Sequence, residues 1–187
     1  QAFSRCSNLS EISLPEGVVD IKTHAFAHCG NLVRVKIPAS MTSLGDSPFT
    51  GCNKLTSIEL ASGNPSFCAV DGILFSKDKT SLLVYPGGKQ GSYEVPSGVQ
   101  RIGAWAFGHS PYLSGIIIPS SVARIDDCAF IECSSLEYVE IPATIDVIRK
   151  GTFERCRALK KVRCDGNVPI AADSESAVFS DSPAVTV

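Results

Sequence analysis

No apolar run in this chain approaches the ~20 residues needed to cross a bilayer; the longest are short, such as Ile116-Ile117-Ile118. Charge is also sparse. Charged residues make up 19 % of the chain and the net charge is −2, so nothing drives it as a whole toward nucleic acid or an anionic membrane. There are only three histidines. Nucleophilic catalysis needs a base and an orienting acid beside a serine or cysteine. Here no Gly-x-Ser-x-Gly occurs, His109 shares the register of His28 on a turn, and the carboxylates stand singly on strands. An enzyme is therefore not expected, and no catalytic residue is assigned. No leader stretch precedes Gln1-Ala2-Phe3, which already lie inside the pattern described next, so an upstream part is expected.

What the chain does have is a repeat. With 187 residues, 44 % of them hydrophobic, it can bury one sizeable core. Phe3, Phe26 and Phe49 are 23 residues apart, and so are Phe107, Phe130 and Phe153; the gap between the two series is 58, or 23 plus 35. The surroundings repeat as well: Ala25-Phe26, Cys29, Leu32, Val35, Ile37-Pro38, Met41, Leu44 matches Ala129-Phe130, Cys133, Leu136, Val139, Ile141-Pro142, Ile145, Ile148. Val35 and Ile37 alternate with Arg34 and Lys36, the period-two pattern of a half-buried strand, and Pro38 ends it. Ala-Phe-x-x-Cys-x-x-Leu has helical spacing but is too short for a stable helix, which predicts a helical turn or 3₁₀ piece. No unit can bury its apolar face alone, so the units must stack as a solenoid.

The unit Ala-Phe-x-x-Cys-x-x-Leu-x-x-Ile-x-Ile-Pro-x-x-Val-x-x-Ile resembles the BspA-like (Treponema-class) bacterial leucine-rich repeats over nearly the whole chain. The resemblance implies a leucine-rich-repeat solenoid of about seven coils, a β-rich α/β right-handed superhelix with one parallel concave sheet of short strands. It also implies a secreted, outer-envelope or cell-surface protein concerned with adhesion. Departures are Ser110 for Cys, Thr152 for Ala, Ala61 for the proline after Leu60, and Cys164-Asp165 where the strand and its proline should end.

The coil from 61 to 95 carries 12 extra residues. Gly72-Ile73-Leu74-Phe75 and Leu82-Leu83-Val84-Tyr85 flank a polar stretch and predict a β-hairpin over 72–85 that replaces the convex turn. Pro86-Gly87-Gly88-Lys89-Gln90-Gly91 fails as a phosphate loop, because Leu83 and Gln90 stand where a first glycine and a Ser or Thr are required. Residues 165–187, with acids and no Lys or Arg, read as a C-terminal cap, Val178-Phe179 being a degenerate last phenylalanine position. The whole chain, 1–187, is one domain.

Of eight cysteines, Cys6, Cys29, Cys52, Cys133 and Cys156 share one register. Coils ~4.8 Å apart hold parallel Cβ atoms too far apart for a disulfide, which predicts a ladder of buried free thiols; Cys68 and Cys128 lie off it. His24, His28 and Cys29 lack a third converging metal ligand, and neither metal nor cofactor is expected. Arg149, Lys150, Arg155, Arg157, Lys160, Lys161 and Arg163 crowd one unit, but by register only Lys161 and Arg163 flank a strand residue on the concave side. Asn8-Leu9-Ser10 has the form of a glycosylation sequon.

The outward strand positions are the candidate ligand-binding residues: Arg34, Lys36, Glu59, Glu94, Ile117, Tyr138, Glu140, Lys161 and Arg163. Ile117 and Tyr138 are apolar among polar neighbours, and Gly115 leaves space beside them, as in an interface hot spot. The expected function is protein or glycan binding through the concave face, with a host or neighbouring-cell partner and no nucleic acid. The alternative is a structural spacer that self-associates through a solenoid edge.

Overall fold

The computed structural model describes residues 2–166 and 178–182. Among them, fourteen short strands follow one another: β1 (Glu11–Ser13), β2 (Asp20–Ile21), β3 (Arg34–Ile37), β4 (Ser43–Leu44), β5 (Ser57–Leu60), β6 (Phe67–Val70), β7 (Ile73–Ser76), β8 (Ser81–Val84), β9 (Gly91–Glu94), β10 (Arg101–Ile102), β11 (Leu113–Ile117), β12 (Arg124–Ile125), β13 (Tyr138–Ile141) and β14 (Lys161–Cys164). They form a β-solenoid of about seven turns. Each regular coil gives one strand to a long row and a two-residue strand to a short row, and both rows are parallel. The register is the sequence period: Val35 pairs with Ile58 and Ile116 with Val139, 23 residues on. In β3 the pattern runs exposed, buried, exposed, buried, as the alternation requires.

The expected helical piece does not form among the described residues. Single i→i+3 turns take its place, such as Ala27 N–H to His24 O (3.2 Å) and Cys29 N–H to Phe26 O (3.3 Å). A left-handed residue breaks the helix twice in each regular coil: His24, Ser47, Trp105, Cys128 and Gly151 in one column, and Arg5, His28, Gly51, His109, Glu132 and Arg155 in another, all with φ between 45° and 69°. Non-glycine side chains resist this conformation. In return it aims backbone groups at the next coil, as in Phe26 N–H to Pro48 O (2.9 Å) and His28 N–H to Thr50 O (2.7 Å).

The phenylalanines stack ring on ring. Centroids lie 5.1 Å apart for Phe3–Phe26, 5.5 Å for Phe26–Phe49, 4.9 Å for Phe107–Phe130 and 5.4 Å for Phe130–Phe153. Tyr85 takes the aromatic place in the long coil, 4.9 Å from Phe107, and Phe179 lies 5.6 Å from Phe153. The rest of the expected cap at 165–187 falls largely outside the described residues.

The long coil differs from a simple surface hairpin. The expected pair is present as antiparallel β7 and β8, and β6 adds a third antiparallel strand before them. β8 keeps the coil's place in the short row by pairing with β10, Ser81 opposite Arg101. The β6–β7 turn enters between β5 and β9: Ile58 donates to Gly72 O (2.9 Å), and β5 and β9 do not pair. The seven long strands therefore make two ladders, β1-β3-β5 and β9-β11-β13-β14. The core divides at the same place. Phe67, Leu74 and Val84 pack with the N-terminal coils, and Ile73, Phe75, Leu82 and Tyr85 with the C-terminal ones. Strand β7 is buried on both faces, which is why Ile73-Leu74-Phe75 reads as an unbroken apolar run.

Asn64 pins the entry to this partition. It stands 23 residues after Met41, where the repeat has an apolar residue, and is 2 % exposed. Its Nδ2 donates to Pro38 O (3.1 Å) and Met41 O (2.9 Å), and its Oδ1 accepts from Ser66 N (3.0 Å) and Phe67 N (2.8 Å). Restoring the repeat with Asn64→Val strips four backbone groups of their partner, so chemical denaturation should show a loss of at least about 2 kcal/mol. Phe130→Ala, between two rings and fully buried, should cost about 3–5 kcal/mol. Lys79→Ala on the exposed β7–β8 turn should cost less than about 0.5 kcal/mol. Equal denaturation midpoints for Phe130→Ala and Lys79→Ala would contradict the stacked column.

Candidate functional site: the outer face of the long strands

Because side chains alternate along each long strand and strands pair in register, the outward residues form straight columns. In the N-terminal ladder Glu11, Arg34 and Ser57 form one column, and Ser13, Lys36 and Glu59 the other. In the C-terminal ladder the columns are Ser92, Gly115, Tyr138, Lys161 and Glu94, Ile117, Glu140, Arg163. All nine candidate residues point outward. Eight are exposed and Glu140 is half-buried. The partition separates Arg34, Lys36 and Glu59 from the other six, so two patches replace the single continuous surface expected from the repeat.

Half of the outward charges on this face are paired with one another. Arg34 Nε lies 3.2 Å from Glu59, and Arg163 lies 3.7 Å from Glu140 and 3.4 Å from Asp165. The space expected beside Ile117 and Tyr138 is filled: a Cβ at Gly115 would fall 2.5–2.8 Å from ring atoms of Tyr138. The glycine seats the tyrosine instead of leaving a pocket. Tyr138 and Ile117 each remain 39 % exposed.

Three of the seven basic residues of the basic unit, Arg155, Lys160 and Arg163, are paired with carboxylates. Arg155 meets Glu132 at 2.8 Å and Asp181 at 3.5 Å, and Lys160 meets Glu137 at 3.1 Å. Glu132 also holds His109 Nδ1 at 2.9 Å; burial keeps the His109 pKa below its ordinary value despite that carboxylate. This chain of ions along the edge was missed in the sequence, although its members share the register of the residue before cysteine. His24 and His28 sit on left-handed turns while Cys29 is buried. Among the described residues no three His, Cys, Asp or Glu side chains are grouped to hold a metal.

The cysteine ladder has a function beyond filling space. Each thiol donates to the carbonyl of the phenylalanine one coil back: Cys29 to Phe3 (3.0 Å), and Cys52 to Phe26, Cys133 to Phe107 and Cys156 to Phe130 (each 3.1 Å). All eight cysteines are free, and Cys6 is the exposed ladder member.

The comparisons with known proteins agree with this geometry. The model of the BspA type leucine rich repeat region matches six copies, over residues 1–72 and 85–185. The chain belongs to the BspA-type leucine-rich-repeat family. The unmatched segment, 73–84, coincides with β7 and β8. No curated protein matches the chain. Among solved structures, a leucine-rich repeat protein from Eubacterium ventriosum is similar at 28 % identity and a TM-score of 0.76, over 84 % of this chain and 42 % of that one. The pneumococcal vaccine antigen PcpA is similar at 25 % identity and a TM-score of 0.70, over 85 % of this chain and 51 % of that one. A leucine rich cell surface protein of Faecalibacterium prausnitzii shares the fold at 23 % identity and a TM-score of 0.52, over 97 % and 65 %. This chain thus spans about half the length of the first two, or less. Leucine-rich-repeat families are generally non-catalytic scaffolds, and such repeats generally mediate protein interactions. No helix among the described residues is long and apolar enough to cross a membrane.

The thiol chemistry of the BspA-type ladder is testable. Burial pushes the Cys52 and Cys156 thiols, ordinarily near 9.0, up to about 12, and Tyr85 and Tyr93, ordinarily near 10.0, also to about 12. The folded protein keeps protons that the unfolded chain releases, so stability should be complete below pH 9 and fall as pH rises from 9 toward 12. Melting temperatures across that range check the sign. In native protein at neutral pH a thiol reagent should modify Cys6 quickly and the four buried ladder cysteines only on unfolding. A disulfide between neighbouring ladder cysteines, found by alkylation mapping, would contradict the geometry.

Proposed function

We propose that the outer face of the long strands, the side the repeat makes concave, is a protein-docking surface of an adhesin-like bacterial surface or secreted protein. The observation that supports it best is the Tyr138–Ile117 pair. Two large apolar side chains stand exposed on adjacent strands, the tyrosine ring is seated over Gly115, and Glu94, Glu140, Lys161 and Arg163 surround them. A fixed aromatic within a charged rim is the composition of an interface hot spot. Similarity to a vaccine antigen and a cell surface protein supports a location on the bacterial exterior and a host or neighbouring-cell partner, whether protein or surface glycan.

A second reading is a spacer that self-associates through a solenoid edge. Dimerisation that leaves partner binding indifferent to substitutions on the strand face would favour it.

The test is a binding screen against extracellular-matrix proteins, with variants run on any protein that binds. Tyr138→Ala should weaken binding about thirtyfold, or ~2 kcal/mol, while His24→Ala on the turn side leaves it unchanged. Charge reversal at Lys161 and Arg163 should slow association, and the effect should fade above physiological salt. Normal binding by Tyr138→Ala and Ile117→Ala would remove this face from consideration.

A further inference from the structure

The partition leaves a strand edge open in the middle of the solenoid. Along a parallel ladder, backbone groups point alternately to the two neighbouring strands. In β9, Gly91 N–H donates to Tyr112 O (3.1 Å), and Val95 N–H, just beyond the strand, donates to Ile117 O (3.0 Å), both toward β11. The alternate residues, Ser92 and Glu94, therefore turn their N–H and C=O groups toward the seam. In a paired coil those groups meet the preceding strand, as Ser57 N–H meets Val33 O (3.4 Å). At β9 they do not. Among the described residues β11 is the only strand packed against β9, and the Ser92 and Glu94 N–H groups have no backbone acceptor.

The edge is accessible. Gly91, Ser92 and Glu94 are exposed, and a Cβ at Gly91 would meet nothing within 4 Å. Ser92 and Tyr93 line a cleft of about 540 Å³ together with Asp71 and Ile73 of the β6–β7 turn, and Gly88 and Lys89 also line it. Donors and acceptors at two-residue spacing match the backbone of an extended chain.

The side chains beside the edge define the kind of chain. Glu59 and Glu94 hold the same place in the coils on either side of the seam, 35 residues apart, and both are exposed. Arg34 lies 3.2 Å from Glu59, but no cation pairs with Glu94 or Asp71 among the described residues. An outward side chain in register with Glu94 would meet carboxylates. Inward side chains on either side of it would lie beside Tyr93 and Ile73, the latter 3 % exposed.

We propose that the open edge of β9 binds an extended polypeptide segment of a partner protein by strand addition, parallel to β9. The segment carries Lys or Arg at the outward position opposite Glu94 and small apolar residues before and after it. The site belongs to the seam and is independent of the Tyr138–Ile117 surface proposed above. A second copy of this chain, pairing its own β9, is the competing occupant.

Amide hydrogen exchange of the whole chain, read by NMR, reports the edge directly. In the free protein the Ser92 and Glu94 amides should exchange fast and those of Tyr93 and Val95 slowly. The probe is the N-acetylated, C-amidated pentapeptide Ser-Val-Lys-Val-Thr at millimolar concentrations. It should protect Ser92 and Glu94 saturably. The same peptide N-methylated at both valines, whose N–H groups would face β9, should not bind. Glu94→Lys, a surface change, should weaken the parent peptide about fivefold, and Tyr138→Ala should leave its binding unchanged. Slow exchange at Ser92 and Glu94 in the free protein overturns the proposal, and protection that grows with protein concentration alone assigns the edge to a second copy and overturns it too. So does exchange that the peptide leaves unaltered, or equal binding of the N-methylated peptide.

Discussion

The constraint on which everything else rests is vertical stacking: each coil must place the same kind of residue directly above its predecessor. A single coil of this size has no inside. Its phenylalanine becomes buried only when another ring lies about 5 Å above it, and its strand only when a neighbour accepts its hydrogen bonds. The cysteines tie the two requirements together, because each thiol reaches back to the carbonyl of the ring residue one coil below. Cysteine suits that place by being small, apolar and still able to donate. Ser110, in the first regular coil after the partition, has the same register but its hydroxyl finds no partner.

The partition departs from the stacking rule and keeps what it can of it. β8 remains in the short row, Tyr85 remains in the aromatic column and β9 remains among the long strands. What it gives up is the pairing of β5 with β9, and with it the continuity of the core. The proposed docking surface lies where stacking leaves something over, on outward residues that the period does not constrain.

Most of the solenoid was legible because a 23-residue period is long, repeated and tied to burial. The long strands, the free thiols and the existence of an insertion at 61–95 all follow from position counting. The helical turn was misread because Ala-Phe-x-x-Cys-x-x-Leu has helical spacing while its left-handed positions are mostly occupied by His, Ser, Trp, Cys, Glu and Arg, residue types that announce nothing, and by glycine only at Gly51 and Gly151. β6 was missed because its burial pattern follows neither period cleanly, and Phe67 was not recognised as a core residue. The face residues were placed correctly in direction, but the seating of Tyr138 over Gly115 is a side-chain event that spacing alone cannot show.

The divided core also changes how the chain behaves as a mechanical object. In an unbroken solenoid every junction is equivalent, and tension is shared along continuous backbone ladders. Here the two stacks meet across a seam bridged by a few backbone bonds, such as Ile58 to Gly72 and Gly88 to Leu55, and by the apolar leaf of β7. A stack that opens at its seam keeps both halves internally paired, so the seam should be the first place to part under load.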